Sequence, residues 1–227
     1  MTRRLLIALS GMLALSACAS VTEVPSPEKA GQLSTRIFDL APFRRIEIDA
    51  DVLLEIHQAE RQSVVLHTED DHFKALTVRV DNGTLFVRHK GHRHRHRNIA
   101  LDIAVTGLEA ISIEGAVDGR LHDIDAGHFR FALSGVGELA IDGRCEVGNF
   151  RISGVGDIDL DGFRCNRVSA DISGIGDVTL TALEAVDIDI SGIGDLTVGG
   201  NPQERHVDYS GIGSVSYSTE KTPPGSP

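Results

Sequence analysis

A five-residue motif that recurs at a nearly constant interval restricts the fold of this 227-residue chain more than any other feature. The motif reads Ser-Gly-Val/Ile-Gly followed by Glu, Asp or Ser, and a degenerate copy begins at Glu114. Successive copies start 20, 19, 20, 18 and 19 residues apart. A fixed period of this length is typical of a solenoid, in which each unit buries its apolar side against the next. The complete copies begin at Ser134, Ser153, Ser173, Ser191 and Ser210.

Apolar and polar residues alternate on both sides of each motif copy. Around the second copy the apolar positions are Phe150 and Ile152 before it and Ile158 and Leu160 after it. A period of two is typical of β-strands with one buried side. We therefore predict an all-β fold, a right-handed parallel β-helix (β-solenoid) with coils of ~19 residues over residues 114–217. We also predict that the Val or Ile between the two glycines of each motif points inward and forms an aliphatic ladder.

Residues 36–113 lack the motif but contain further strand patterns. Asn82-Gly83 lies between two of these patterns and predicts a tight hairpin. Residues 70–75 are expected to form one helical turn. We predict that this region is an irregular β cap, which protects one end of the solenoid from pairing with other strands. The expected strands are 44–49, 52–57, 63–67, 76–80, 84–88, 99–105 and 110–113.

Residues 1–17 have the features of a lipoprotein signal peptide. Two arginines precede an apolar run that is shorter than the ~20 residues of a membrane-spanning helix. The run ends in Leu-Ser-Ala-Cys18, which looks like a bacterial lipobox, so the Cys18 thiol is expected to carry lipid, including palmitate. Because Ala19 rather than Asp follows, the Gram-negative sorting rule predicts anchoring to the outer membrane. The alternative is an ordinary secretory peptide with a chance cysteine.

The ends of the mature chain are expected to lack a packed structure. Residues 18–35 contain the lipidated cysteine and then a flexible tether that has few apolar residues to bury. Residues 218–227 contain a Pro-Pro-Gly sequence and are expected to form a disordered tail.

The charge of the chain excludes one class of partner. It has 33 acidic and 22 basic residues, a formal net charge of −11. A generally basic surface is what non-specific nucleic-acid binding requires, so we expect no nucleic-acid partner. Three cysteines are also too few for a four-cysteine zinc site.

Cys145 and Cys165 occupy the same position in successive repeats, eight residues before the next motif. On adjacent coils they would lie ~4.8 Å apart, within the range that a disulfide tolerates. An exported protein also meets an oxidising compartment. A disulfide and two buried free thiols both remain open.

A basic and histidine-rich segment stands out in this acidic chain. If the segment is extended, His92, His94 and His96 share one side and Arg93, Arg95 and Arg97 share the other. The histidines are candidate ligands for Zn²⁺ or Cu²⁺, and the arginines are candidate contacts for phosphates of lipopolysaccharide or anionic lipid. The alternative is a solvated loop with neither role.

The acidic residue of the motif forms a second candidate site. Asp157, Asp177 and Asp195 would stack ~5 Å apart on successive coils, where carboxylates repel one another unless they are hydrated, hydrogen-bonded or share a cation. Structural Ca²⁺ is therefore one hypothesis. The other is that each carboxylate accepts hydrogen bonds from backbone N–H groups at its own glycine corner.

Three features together resemble the family of auto-transporter adhesins with a head GIN domain. They are the repeated motif, the opening strands 43–48 and 52–56, and the hairpin 76–87. The resemblance covers about residues 36–217, although Gly-Ile-Asn itself occurs nowhere and the repeats read Gly-Val-Gly or Gly-Ile-Gly. It implies a β-rich solenoid and an adhesive role.

The sequence contains none of the common nucleotide-binding, metalloprotease or serine-hydrolase motifs. We predict a non-catalytic, lipid-anchored cell-envelope protein that presents a binding or structural surface, with no catalytic residue and no cofactor. Its expected partners are the membrane and an envelope glycan, lipopolysaccharide or protein. One alternative is a carbohydrate-active β-helix enzyme using Asp159 and Asp161 or Asp187 and Asp189. The other is a periplasmic metal- or anion-binding accessory protein.

Overall fold

A computed structural model of the chain describes residues 33–69, 72–90 and 99–218, which form an all-β solenoid. The described residues contain no α-helix and one short 3-10 turn, His72–Ala75. The strands, β1 to β15 in chain order, are Ser34–Phe38, Arg45–Asp49, Val52–Gln58, Ser63–Thr68, Leu76–Asp81, Thr84–His89, Ala100–Val105, Ala110–Ile113, Ala116–Leu133, Val136–Ile152, Ile158–Ile172, Val178–Ile190, Leu196–Gly199, Glu204–Tyr209 and Val215–Tyr217.

Each coil has two β faces that meet at the repeated motif, which we call the glycine corner. Face A consists of the segments that follow the glycine corner, and face B of the segments that precede it. Neighbouring coils pair in parallel with residues one repeat apart side by side, as in Leu139 with Ile158 on face A and Ile152 with Ile172 on face B. The predicted parallel β-solenoid is confirmed. Its right-handed sense follows from the general chirality of parallel crossovers and stays a prediction.

The interior is filled by the apolar residues that alternate along the strands. Phe150, Ile152, Ile158 and Leu160, predicted to point inward, are all at most 4% exposed. Each large apolar side chain buried in this way contributes about 1.5–3 kcal/mol to folding. The polar residues between them lie on the outside, so each face presents regular columns of side chains one coil apart.

The N-terminal region extends the solenoid with coils that are out of chain order. Strand β3 pairs in parallel with both β7 and β9, and β2 pairs in parallel with both β6 and β8. The coil made of β2 and β3 therefore lies between the strands β6 and β7 on one side and β8 and β9 on the other. The sheet runs without a break past residue 114, where the sequence repeat begins.

Antiparallel strands cap the N-terminal end. On face A, β4 pairs antiparallel with β7, and β1 pairs antiparallel with β4. On face B, β5 pairs antiparallel with β6 through the predicted hairpin, where Asn82 (φ 48°) and Gly83 (φ 72°) both adopt left-handed conformations. The cap is thus β structure, as predicted, and its pairing is antiparallel where that of the repeats is parallel. It also begins earlier than expected, because Ser34, inside the predicted tether, already pairs with Thr68.

The glycine corner differs from the prediction in one respect. The Val or Ile between the two glycines points outward, with an exposed fraction between 46% and 70%, so the prediction of an inward ladder is wrong. The glycines take the inner side because the coils approach too closely there for a side chain. A Cβ on Gly174 would lie 2.3 Å from the carbonyl oxygen of Gly154. The exposed residues are Val136, Val155, Ile175, Ile193 and Ile212.

Candidate binding surface

Face B carries an open groove of about 690 Å³ that crosses several coils. Its lining comes from strands that are far apart in the sequence, from β2 to β12, which the out-of-order coils bring side by side. The polar and small residues that line it are Arg45, Glu47, Thr84, Ala110, Ser112, Arg130, Ala132, Asn149, Arg151, Ser169, Asp171 and Asp189.

The groove exists because small side chains occupy neighbouring outward positions. Ala110 and Ser112 of β8 lie beside Arg130 and Ala132 of β9, in register. The short side chains of Ala110, Ser112 and Ala132 leave a depression on a surface whose other outward positions carry longer polar or charged groups. The next coil adds Arg151, which is paired with Ala132 in the sheet register.

Three arginines border the groove, and their partners differ. The Arg45 guanidinium donates to Thr84 Oγ1 at 3.1 Å and to the carbonyl oxygen of Asn82 at 2.5 Å. Arg151 Nε lies 3.6 Å from Asp171 Oδ2 in an exposed ion pair, a kind of contact that contributes little to stability.

Arg130 differs from the other two arginines. Its exposed guanidinium has no hydrogen bond or ion pair with another described residue, so its donors are available to a ligand. A planar guanidinium is well suited to bidentate contact with a carboxylate or phosphate.

Sequence reasoning did not identify this groove. The alternation along the strands places Ala110, Ser112 and Ala132 at outward positions, and Ala is unusual at an exposed strand position. These small residues predict a groove only when the position of β8 between β2 and β9 is known.

Face A carries a second cluster that the sequence did not reveal. The rings of His57 and His122, on adjacent coils, stack with centroids 5.5 Å apart. His122 Nε2 lies 2.9 Å from Glu55 Oε1, and its Nδ1 lies 3.0 Å from Asp123 Oδ2. His57 Nδ1 lies 3.9 Å from Asp102 Oδ1. The cluster is an exposed network of histidines and carboxylates.

The predicted acidic column at the glycine corner is present and hydrogen-bonded between coils. Asp157 Oδ1 accepts the backbone N–H of Asp177 at 2.9 Å, and Asp177 Oδ1 accepts the N–H of Asp195 at 2.8 Å. Asp195 Oδ1 in turn accepts the N–H and the hydroxyl of Ser214. Each carboxylate therefore bonds to the next coil rather than to its own corner. Calcium at these three aspartates stays a prediction.

Cys145 and Cys165 lie opposite each other on adjacent coils, in the register that the repeat predicts. The structure joins their sulfur atoms in a disulfide, with the Cα atoms 4.4 Å apart. Both side chains are buried, at most 5% exposed.

Several predicted sites lie outside the described residues. Cys18 and the signal peptide belong to residues 1–32, and the segment with His92, His94, His96, Arg93, Arg95 and Arg97 belongs to residues 91–98. The lipidation, metal and anion assignments at these positions stay predictions.

Within residues 33–69, 72–90 and 99–218, no group of three or more His, Cys, Asp or Glu side chains is arranged to hold a metal ion. Asp159 Oδ1 accepts the backbone N–H of Asp161 and the hydroxyl of Thr179, so that carboxylate takes part in the structure of face A. Asp187 and Asp189 are exposed on face B.

A sequence profile of the family described as "Putative auto-transporter adhesin, head GIN domain" matches residues 42–202. The chain belongs to this family. Membership makes it an adhesin-like protein of the cell envelope or surface, in a family described by adhesion rather than by catalysis. A comparison with curated protein sequences found no match. In the part of the chain that the structure describes, there is no helix long and apolar enough to cross a membrane.

Several solved structures are similar to this head GIN domain protein, and one of them, with a TM-score above 0.5, shares its fold. A putative adhesin from Bacteroides fragilis is 20% identical, with a TM-score of 0.66, over 82% of this chain and 97% of that one. A putative adhesin from Parabacteroides merdae is 16% identical, with a TM-score of 0.46, over 84% and 98%. A putative lipid binding protein from Parabacteroides distasonis is 18% identical, also with a TM-score of 0.46, over 84% and 98%. At 20% identity the likeness to the Bacteroides fragilis protein concerns the fold alone.

Proposed function

We propose that this protein is a non-catalytic binding protein, anchored by lipid on Cys18 to the outer membrane, and that the groove on face B binds an envelope glycan with acidic groups. The observation that carries this proposal is the unpaired guanidinium of Arg130 beside a depression floored by small residues. The family membership supports an adhesive role at the cell envelope.

The chemistry of the groove favours a glycan with acidic substituents over a purely apolar ligand. Ser112, Asn149 and Ser169 supply hydroxyl and amide groups that match sugar hydroxyls. Arg130 supplies the cation for a carboxylate or phosphate, whereas Arg151 is already next to Asp171. The groove is open and runs across coils, which suits an extended polymer.

The binding proposal is tested with the full-length protein and immobilised envelope polysaccharides, lipopolysaccharide among them. We expect the Arg130→Ala variant to bind an acidic polysaccharide at least about tenfold more weakly, because it loses a charge-assisted contact. Arg120→Ala is the matched control, since Arg120 is an exposed arginine on face A without a partner among the described residues. Equal binding by wild type and Arg130→Ala would contradict the groove assignment, and release of reducing sugar would favour the enzyme alternative.

The anchoring proposal has a separate test. Cells that produce the wild-type protein are labelled with palmitate, and the outer membrane is isolated. We expect label on the wild-type protein in that fraction and none on the Cys18→Ser variant. Labelled Cys18→Ser protein, or unlabelled wild-type protein, would contradict lipidation at this residue.

A further inference from the structure

The outward row at the glycine corner is an apolar ridge on an otherwise polar solenoid. Its members are about half exposed and contribute little to the core. Successive members form isolated parallel bridges, and the backbone is fixed by bonds such as the N–H of Ile175 to the carbonyl oxygen of Gly154 at 3.0 Å. The ridge comprises Val136, Val155, Ile175, Ile193 and Ile212.

The fold does not require apolar residues at these positions. Their side chains face solvent, and a polar residue would leave the close packing of the glycines unchanged. Five half-exposed Val and Ile side chains in one row amount to an exposed apolar area on the order of 400 Å², comparable to the largest patch on a typical monomer, and patches of this kind mark interaction sites.

The two sides of the ridge differ in chemistry. One side carries an exposed column of serines, of which Ser134, Ser173 and Ser191 make no described side-chain hydrogen bond. The other side carries the acidic column that continues from Glu138 through the motif aspartates. The acidic column repels an anionic lipid surface and would also repel a second acidic column placed against it.

We propose that the ridge is the contact between two copies of this chain, packed with their solenoid axes parallel. A two-fold axis along the ridge places the apolar rows against each other. It also places the serine column of each copy opposite the acidic column of the other, where hydroxyl groups donate to carboxylates. An antiparallel arrangement would place acid against acid. The ridge of a second copy has the same spacing between its apolar residues, because both copies contain the same repeat, so the two rows match along their length.

The size of the ridge sets the strength of this contact. A stable interface usually covers about 800 Å² on each partner, roughly twice the apolar area of the ridge. The serine and acidic columns widen the contact, but we expect a reversible dimer rather than a permanent one. The parallel arrangement leaves strand β1 of both copies at the same end.

The arrangement is tested by variants of the full-length protein with one added cysteine and a short thiol cross-linker in the producing cells. In the parallel dimer each ridge position meets its own counterpart, so Val136→Cys and Ile212→Cys each give a cross-linked homodimer. Asp187→Cys, exposed on face B, and the wild-type protein serve as controls and should give none. When the two ridge variants are produced together, a link between positions 136 and 212 would indicate the antiparallel arrangement and overturn the proposal.

A second measurement tests the apolar contact. Ile175→Lys places a charge at the centre of the ridge, and because Ile175 is 52% exposed the coil itself should tolerate it. We expect the dimer dissociation constant, measured by analytical ultracentrifugation in detergent, to rise by more than about tenfold. Gln203→Lys, at an exposed position between β13 and β14 outside the ridge and the groove, should leave it unchanged. A wild-type protein that stays monomeric at all concentrations, or an Ile175→Lys variant that dimerises normally, would overturn the proposal.

Discussion

The close approach of the coils at the glycine corner predicts a large effect for one added methyl group. In Gly174→Ala the new Cβ would lie 2.3 Å from the carbonyl oxygen of Gly154, which accepts the N–H of Ile175 at 3.0 Å. Removing this clash requires a backbone shift of roughly 1 Å, which costs about 1–3 kcal/mol in strain and weakens a hydrogen bond of about 0.5–1.5 kcal/mol. We therefore expect the free energy of unfolding to fall by about 2–4 kcal/mol.

The effect can be measured by urea unfolding followed by far-ultraviolet circular dichroism. Gly127→Ala is the matched control, because a Cβ at Gly127 meets nothing within 4 Å. We expect Gly127→Ala to change the free energy of unfolding by less than about 0.5 kcal/mol or to raise it slightly. If Gly174→Ala were as stable as Gly127→Ala, the coils would not pack as closely as the structure shows, and the reasoning would be refuted.

Three other contacts between coils give further predictions. Asp177→Ala should lower the free energy of unfolding by about 1 kcal/mol, because the N–H of the next coil loses its acceptor. Asp177→Asn should lower it by less than half as much, because the amide oxygen still accepts that N–H. Equal losses of stability in thermal melts of the two variants would contradict this. The Arg144 guanidinium donates a hydrogen bond to Asp125 and lowers the pKa of that carboxyl. The pair therefore stabilises the fold at pH values above the ordinary pKa of Asp, and this stabilisation is lost as the pH falls through the lowered pKa. Arg144→Gln should return the pKa of Asp125 toward its ordinary value in an NMR titration, and an unchanged titration would contradict the pairing. Finally, the disulfide of Cys145 and Cys165 closes a loop with a sequence separation of 20, so its reduction should lower the free energy of unfolding by about 3 kcal/mol. If treatment with a reductant leaves the mass of the intact protein unchanged, the bond is absent.

The strands could be predicted from the sequence because they depend on local alternation. Strand β2 at Arg45–Asp49 and strand β8 at Ala110–Ile113 lie within one residue of their predicted positions. The hairpin at Asn82 and Gly83 could also be predicted, because few residue pairs adopt two successive left-handed conformations. The repeat likewise fixes which residues of successive coils lie side by side.

The order of the N-terminal coils could not be predicted. Strand β3 pairs with β9 across some sixty residues of chain, and no local pattern specifies that partner. The groove depends on that order, because Arg45 and Arg130 reach one surface only through β8. The stacked pair of His57 and His122 depends on it for the same reason. The orientation of Ile175 was predicted wrongly because alternation does not continue through a corner where glycines occupy the inner side.

The stacking of coils in register, on which the groove, the ridge and the acidic column all depend, can be tested by paired cysteines on face B. Asp171 and Asp189 are exposed partners on adjacent coils, and Asp208 is the partner of Asp189 one coil further. Oxidation of the Asp171→Cys/Asp189→Cys variant should give an intramolecular disulfide, because one coil is ~4.8 Å and lies within the bonding range. Asp171→Cys/Asp208→Cys, ~9.6 Å apart, should not form one. A disulfide in the second variant but not in the first would contradict the stacked solenoid.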